Sequence, residues 1–84
     1  MTTPDWLTQR DGALRPGLNP SIRLVMLSGH PQYKLMVVPS QGQFACAITQ
    51  TVNGKRLDSG AAVQPTIEAA LTTGLEELRV KLGW

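Results

Sequence analysis

The period of the hydrophobic pattern changes once along this chain, and that change narrows the available folds more than any other feature. From Ile22 to Val52, short apolar-rich runs bounded by turn residues put apolar side chains on one side at the two-residue period of a strand, with Val25, Leu27, Met36 and Val38 making the other side partly apolar too. From Ile67 to Leu82 apolar residues recur at three- and four-residue spacing, the pattern of a helix with one apolar stripe. Strands followed by a single terminal helix predict an α+β domain, with the helix packed on one face of an antiparallel sheet.

Turn residues divide the alternating region into four expected strands. Ile22 to Ser28 ends at Gly29-His30-Pro31-Gln32, and Tyr33 to Val38 ends at Pro39-Ser40-Gln41-Gly42. Gln43 to Val52 runs into Asn53-Gly54, a pair suited to a two-residue hairpin turn in which both residues take positive φ, and Lys55 to about Ser59 returns. The implied pairings put Val37 opposite Phe44, Leu35 opposite Cys46, Met26 opposite Leu35 and Gln50 opposite Leu57. Ile22, Leu24, Met26, Tyr33, Leu35, Val37, Phe44, Cys46, Ile48 and Leu57 then share one side. A one-residue slip would move a whole strand to the other side, so this shared side is the expected core.

Thr66 after Pro65 is the expected helix cap, with Glu68 in the first turn. Gly83 is the expected left-handed stop, and Trp84 is expected to fold back on the last turn near Leu78. Gly74 lies on the apolar stripe, where a missing side chain permits close approach of helix and sheet. Thr3-Pro4-Asp5 reads as the start of a short N-terminal helix ending at Asp11-Gly12. Arg15-Pro16-Gly17 and Asn19-Pro20 read as turns. Eighty-four residues suit one domain, close to the size at which a single core is only just sufficient. Its expected parts are a turn-rich segment over 1–20, the antiparallel sheet over 21–60 and the helix over 66–82. The overall expectation is a four-stranded ββββα meander with a short helix in front.

One cysteine excludes an internal disulfide framework, and Cys46, between Phe44 and Ile48 in register, reads as a buried inert thiol in a reducing compartment. No stretch approaches the about 20 apolar residues needed to span a bilayer. Met1 to Gln9 lacks the basic and apolar regions of a signal peptide, so a cytoplasmic location without membrane contact is expected.

Charge is segregated. The net charge is +2, but no Asp or Glu occurs between Gly12 and Leu57, a stretch that carries Arg15, Arg23, Lys34, Lys55 and Arg56. The acids are Asp5, Asp11, Asp58, Glu68, Glu76 and Glu77. A basic sheet half beside a near-neutral to acidic helix half is the expected outcome.

Catalytic patterns are missing from the sequence. His30 is the single histidine and sits before a proline, so no metal-ligand set with Cys46 is expected. Ser28, His30 and Asp58 supply the residue types of a triad without an activating context around any serine. Asn53-Gly54-Lys55 lacks the glycine and the hydroxyl residue of a phosphate loop, and the adjacent Glu76 and Glu77 diverge on a helix. The expectation is a non-enzyme without a cofactor.

What remains is the side of the sheet that one helix cannot cover. The expected interaction face there is Arg23, Val25, Leu27, Lys34, Met36, Val38 and Arg56, with Ala45 and Ala47 between them. A face of this kind calls for a covering element or a partner. The N-terminal segment could cover it with Trp6, Leu7, Leu14 and Leu18. A second copy or a partner protein could dock on it, or on an edge strand. The third reading is nucleic acid. The order Asn53-Gly54-Lys55-Arg56, Gly60 and Pro65-Thr66-Ile67-Glu68-Ala69-Ala70 resembles the three-stranded-sheet-plus-helix DNA-binding domain at the N-terminus of tyrosine recombinases, over about Tyr33 to Leu78. That resemblance implies phosphate or base contacts from Arg23, Lys34 and Arg56. The chain departs from it at Ala61-Ala62-Val63, where an aromatic usually closes the last strand. A non-catalytic interaction module is the leading expectation, and a small DNA- or RNA-binding domain the alternative.

Overall fold

The computed structural model describes residues 3–58 and 63–84. Helix α1 (Asp5–Thr8) leads into strands β1 (Gly12–Pro16), β2 (Ile22–Leu27), β3 (His30–Ser40) and β4 (Gln43–Gln50), and helix α2 (Ile67–Leu82) follows. The strands form one antiparallel sheet in the order β1-β2-β3-β4. The α+β class, the four-stranded meander, the C-terminal helix on one face and the short N-terminal helix all stand as expected. The membership of the meander differs at both ends.

Gly12–Pro16, expected as turns, is the first strand. Leu14 faces Val25 and packs against the core, while Ala13 and Arg15 point the other way. Pro16 fits because β1 is an edge strand, where a missing N–H leaves no ladder bond unmade. At the other end, the expected strand from Lys55 shrinks to an isolated bridge between Thr49 and Arg56. Ser59 and Ala61-Ala62 lie outside the described residues. Gln50 N–H donates to Lys55 O at 2.9 Å, so Thr51 to Gly54 form a four-residue loop. In that loop Gly54 has positive φ and Asn53 does not. The two-residue turns are instead Ser28-Gly29, at φ 51° and 80°, and Gln41-Gly42, at φ 53° and 76°, with both central residues left-handed as such turns demand.

These turns change the registers. In the β3–β4 pair, Leu35 faces Ile48 and Val37 faces Cys46, a shift of two residues from expectation. An even shift leaves the faces intact, so Tyr33, Leu35, Val37, Phe44, Cys46 and Ile48 do share the core side, as does Leu57. In the β2–β3 pair the shift is odd. Val25 faces Tyr33 and Met26 faces Pro31, which leaves Gln32 as the extra residue of a bulge. Pro31 has no N–H to give a central strand, and a bulge is where such a strand tolerates it. The carbonyl of Gln32 takes a hydrogen bond from Thr51 N–H at 3.0 Å instead. The result corrects the expected core: Val25, fully buried, and Leu27 take the core side, while Ile22, Leu24 and Met26 turn outward.

Helix α2 is capped as expected. Thr66 accepts from Ala69 N–H at 3.1 Å, and Gly83 ends the helix at φ 74°. The N–H of Gly83 donates to Val80 O and that of Trp84 to Arg79 O, a paired C-terminal closure. Trp84 is partly buried against the core, and its ring lies 6.1 Å from that of Trp6. Arg10 stands 4.7 Å above the same indole, a cation–π contact joining the two ends of the described chain. Ala70, Leu71, Gly74, Leu75 and Leu78 bury against the sheet.

Helix and sheet approach closely at Gly74. A Cβ there would meet Cys46, at 2.7 Å from its Cβ. Helix propensity alone says that Gly74→Ala stabilises by about 1 kcal/mol. Overpacking of this kind costs about 1–3 kcal/mol. The contact is with Cβ, which no rotamer change can move, so we expect net destabilisation in a denaturant melt; a higher midpoint would mean that α2 does not sit this close.

Candidate functional site: the open face of the sheet

Helix α2 covers one side of the sheet, and α1 packs on that same side. Leu7 is fully buried in the core, and Trp6 and Leu14 pack against it. Leu18, the remaining apolar residue offered as cover for the other side, is 98% exposed. The expected N-terminal lid is therefore an extension of the core. Thr3 does not cap α1; its hydroxyl accepts from Leu14 N–H at 3.2 Å and ties the segment to β1.

Among the described residues, no element of the chain lies over the opposite face. Alternation from the observed registers puts Ala13 and Arg15 there from β1, and Ile22, Leu24 and Met26 from β2. Lys34, Met36 and Val38 come from β3, and Ala45, Ala47 and Thr49 from β4. The larger apolar members are half-buried by one another, and Ala45 and Ala47 form a shaded floor between them.

Of the residues expected on this face, Lys34, Met36 and Val38 lie on it. Val25 and Leu27 do not, for the reason the bulge supplies. Arg23 pairs with Leu35 and starts on the covered side, its guanidinium donating to Pro20 O at 2.8 Å and Ile22 O at 3.0 Å. Arg56 ends a cross-strand row that no spacing in the sequence displays: Arg15–Leu24–Lys34–Thr49–Arg56, each facing the next. Arg15, Ile22, Leu24 and Met26 are the face residues that sequence reasoning missed. For the three on β2 the signal was Pro31 just inside a central strand, which calls for a bulge and so for an inverted β2.

Arg56 is already engaged. It forms a two-pronged ion pair with Asp58, at 2.7 and 2.8 Å, and Asp58 also accepts from Ile48 N–H at 2.9 Å. Its hydrogen bonds, the Arg56 pair foremost, hold the Asp58 carboxyl down at about 2. A carboxyl whose folded value lies below its unfolded value, about 3.9, adds stability above that unfolded value. The contribution is lost as the pH falls toward 2. Asp58→Ala leaves the buried Ile48 N–H unmatched and is expected to cost about 1.5–3 kcal/mol at pH 7. The part of that penalty owed to the carboxylate charge is lost toward the acid end of this window while the unmatched N–H remains, so the penalty should shrink in melts there, and an equal penalty at both pH values would contradict the pairing.

The same pair helps close an edge. On β4, the outward N–H groups of Phe44, Ile48 and Gln50 are taken by Gln64, Asp58 and Lys55. On β1, the outward N–H of Leu14 is taken by Thr3, and Pro16 has none. These contacts occupy part of each edge and hinder strand addition there, which favours the face as the surface that the sheet offers.

Cys46 lies on the covered side. Burial, with Asp58 and Glu77 near it, pushes its thiol up to about 12, so it stays protonated and unreactive near neutral pH. Among the described residues, no three of His, Cys, Asp and Glu come together as a metal-ligand set. His30 is exposed at the start of β3. Among the same residues, no helix is long and apolar enough to cross a membrane. Comparison with protein-family models, with curated proteins and with solved structures returned no match.

Proposed function

We propose that this chain is a non-catalytic interaction module that docks a protein partner on the open face of its sheet. One observation supports this above the rest: Ile22, Leu24, Met26, Met36 and Val38 form a contiguous apolar surface over the two central strands, β2 and β3. Sheets facing water on one side ordinarily carry polar residues there, and apolar surface of this extent is typical of binding sites. The partly occupied edges favour the face over strand addition. A cytoplasmic setting belongs to the proposal, since the free Cys46 suits a reducing compartment.

A photo-crosslinking amino acid at Met36, compared with one at the exposed Thr72 on α2, tests this reading in cells. A discrete adduct, of either a second copy or another protein, is expected from Met36 alone. Equal, diffuse labelling at both positions would reject it.

A second reading, duplex nucleic-acid binding, is favoured by the cross-strand row with Arg15, Lys34 and Arg56. Base stacking is not open to it, because Trp6, Tyr33, Phe44 and Trp84 all pack on the covered side. Phosphate contacts would then carry the affinity, which must fall steeply as salt is raised. Titration with generic duplex at low salt decides this, and no binding there removes the reading.

A further inference from the structure

We infer that the partner element is an acidic amphipathic helix, lying along β2 with carboxylates on both of its flanks; this rests on the docking reading above. The outward residues of β2, Ile22, Leu24 and Met26, form an apolar column. Four residue steps of strand make it about 14 Å long, the rise of about nine helical residues. Leu24 at its middle faces Arg15 on β1 and Lys34 on β3. Two strand spacings separate those cations by about 10 Å, which is the width of a helix with its side chains. A helix seated on the column thus has one cation against each flank.

The charges on the face select the sign. Asp58 is held by Arg56, and the other acid near the face is Asp11, which lines a shallow depression with Ala13, Arg15 and Met26 at one end of the sheet. No ion pair engages Arg15 or Lys34 among the described residues. A second copy laid face to face would bring its own Arg15 and Lys34 into the interface, like charge against like. Nucleic acid would answer the cations but leave the apolar column unused. Carboxylates flanking an apolar stripe answer both.

The test uses the full chain, methyl-labelled for NMR, and two synthetic helical peptides of about 18 residues with a leucine stripe. One peptide carries Glu on both flanks and the other Lys. The Glu peptide is expected to shift the methyl signals of Leu24, Met26 and Met36, and to bind at least about tenfold more tightly than the Lys peptide. That advantage should shrink with added salt. In the doubly substituted Arg15→Glu, Lys34→Glu protein, checked for an unchanged melt, the preference should invert. Equal binding of both peptides, or a face-to-face dimer that protects the same methyls without peptide, would overturn the acidic-helix inference while leaving the docking reading in place. A monomer whose outer methyls respond to neither peptide would overturn both.

Discussion

Val25→Asp should leave no cooperatively folded protein, while Leu24→Asp, one residue earlier, should fold with a stability change of about 1 kcal/mol or less. Val25 is fully buried among the core residues, where an unpaired carboxylate must either lose its hydration or pick up a proton, at several kcal/mol. A domain of this size holds roughly 4–12 kcal/mol in total. Leu24 stands on the open face between Arg15 and Lys34, where an added carboxylate stays in water beside two cations. Circular dichroism melts of the two variants separate these outcomes. The reverse result, with Leu24→Asp unfolded and Val25→Asp intact, would place β2 the other way round and remove the bulge at Gln32.

Leu7→Ala should be as damaging as truncation of a strand core residue, about 2–5 kcal/mol. Leu7 belongs to a four-residue helix, too short to hold itself together. Yet its side chain is fully buried, and it lies so close to Gly12 that a Cβ on that glycine would meet it, at 2.7 Å from Cγ. Leu18→Ala, at a position 98% exposed, serves as the matched control and should leave the melting temperature unchanged. A small effect at Leu7 would mean that α1 and β1 are an ornament on a three-stranded core.

Both predictions concern the part of the chain where sequence and structure diverge, and the divergence has one origin. Each expected hairpin misjudged its turn, but Gln41-Gly42 and the loop from Thr51 to Gly54 moved the registers by even numbers, to which a two-residue period is blind. Leu35, Val37, Cys46, Ile48 and Leu57 therefore kept their side. The single residue gained at Gln32 moved β2 by an odd number, and every side chain on it changed face. Half of the interaction face changed with it: Val25 and Leu27 went into the core, and Ile22, Leu24 and Met26 came out. Arg15 was hidden for a different reason. A strand of five residues ending in proline carries too little alternation to be told from a turn, and only pairing with β2 defines it.

The sequence by itself determined the succession of β2, β3, β4 and α2, the limits of α2 with its Thr66 cap and Gly83 stop, the apolar stripe of that helix, and the inward side of β3 and β4. These follow from local rules: residue period, capping, and the φ that a terminal glycine can adopt. Tertiary structure alone decided which side β2 presents, where the N-terminal segment packs, and that Arg15 and Lys34 flank Leu24. Those depend on how many residues a turn or bulge consumes and on which strand lies beside which, and a count of that kind is settled only when two strands meet.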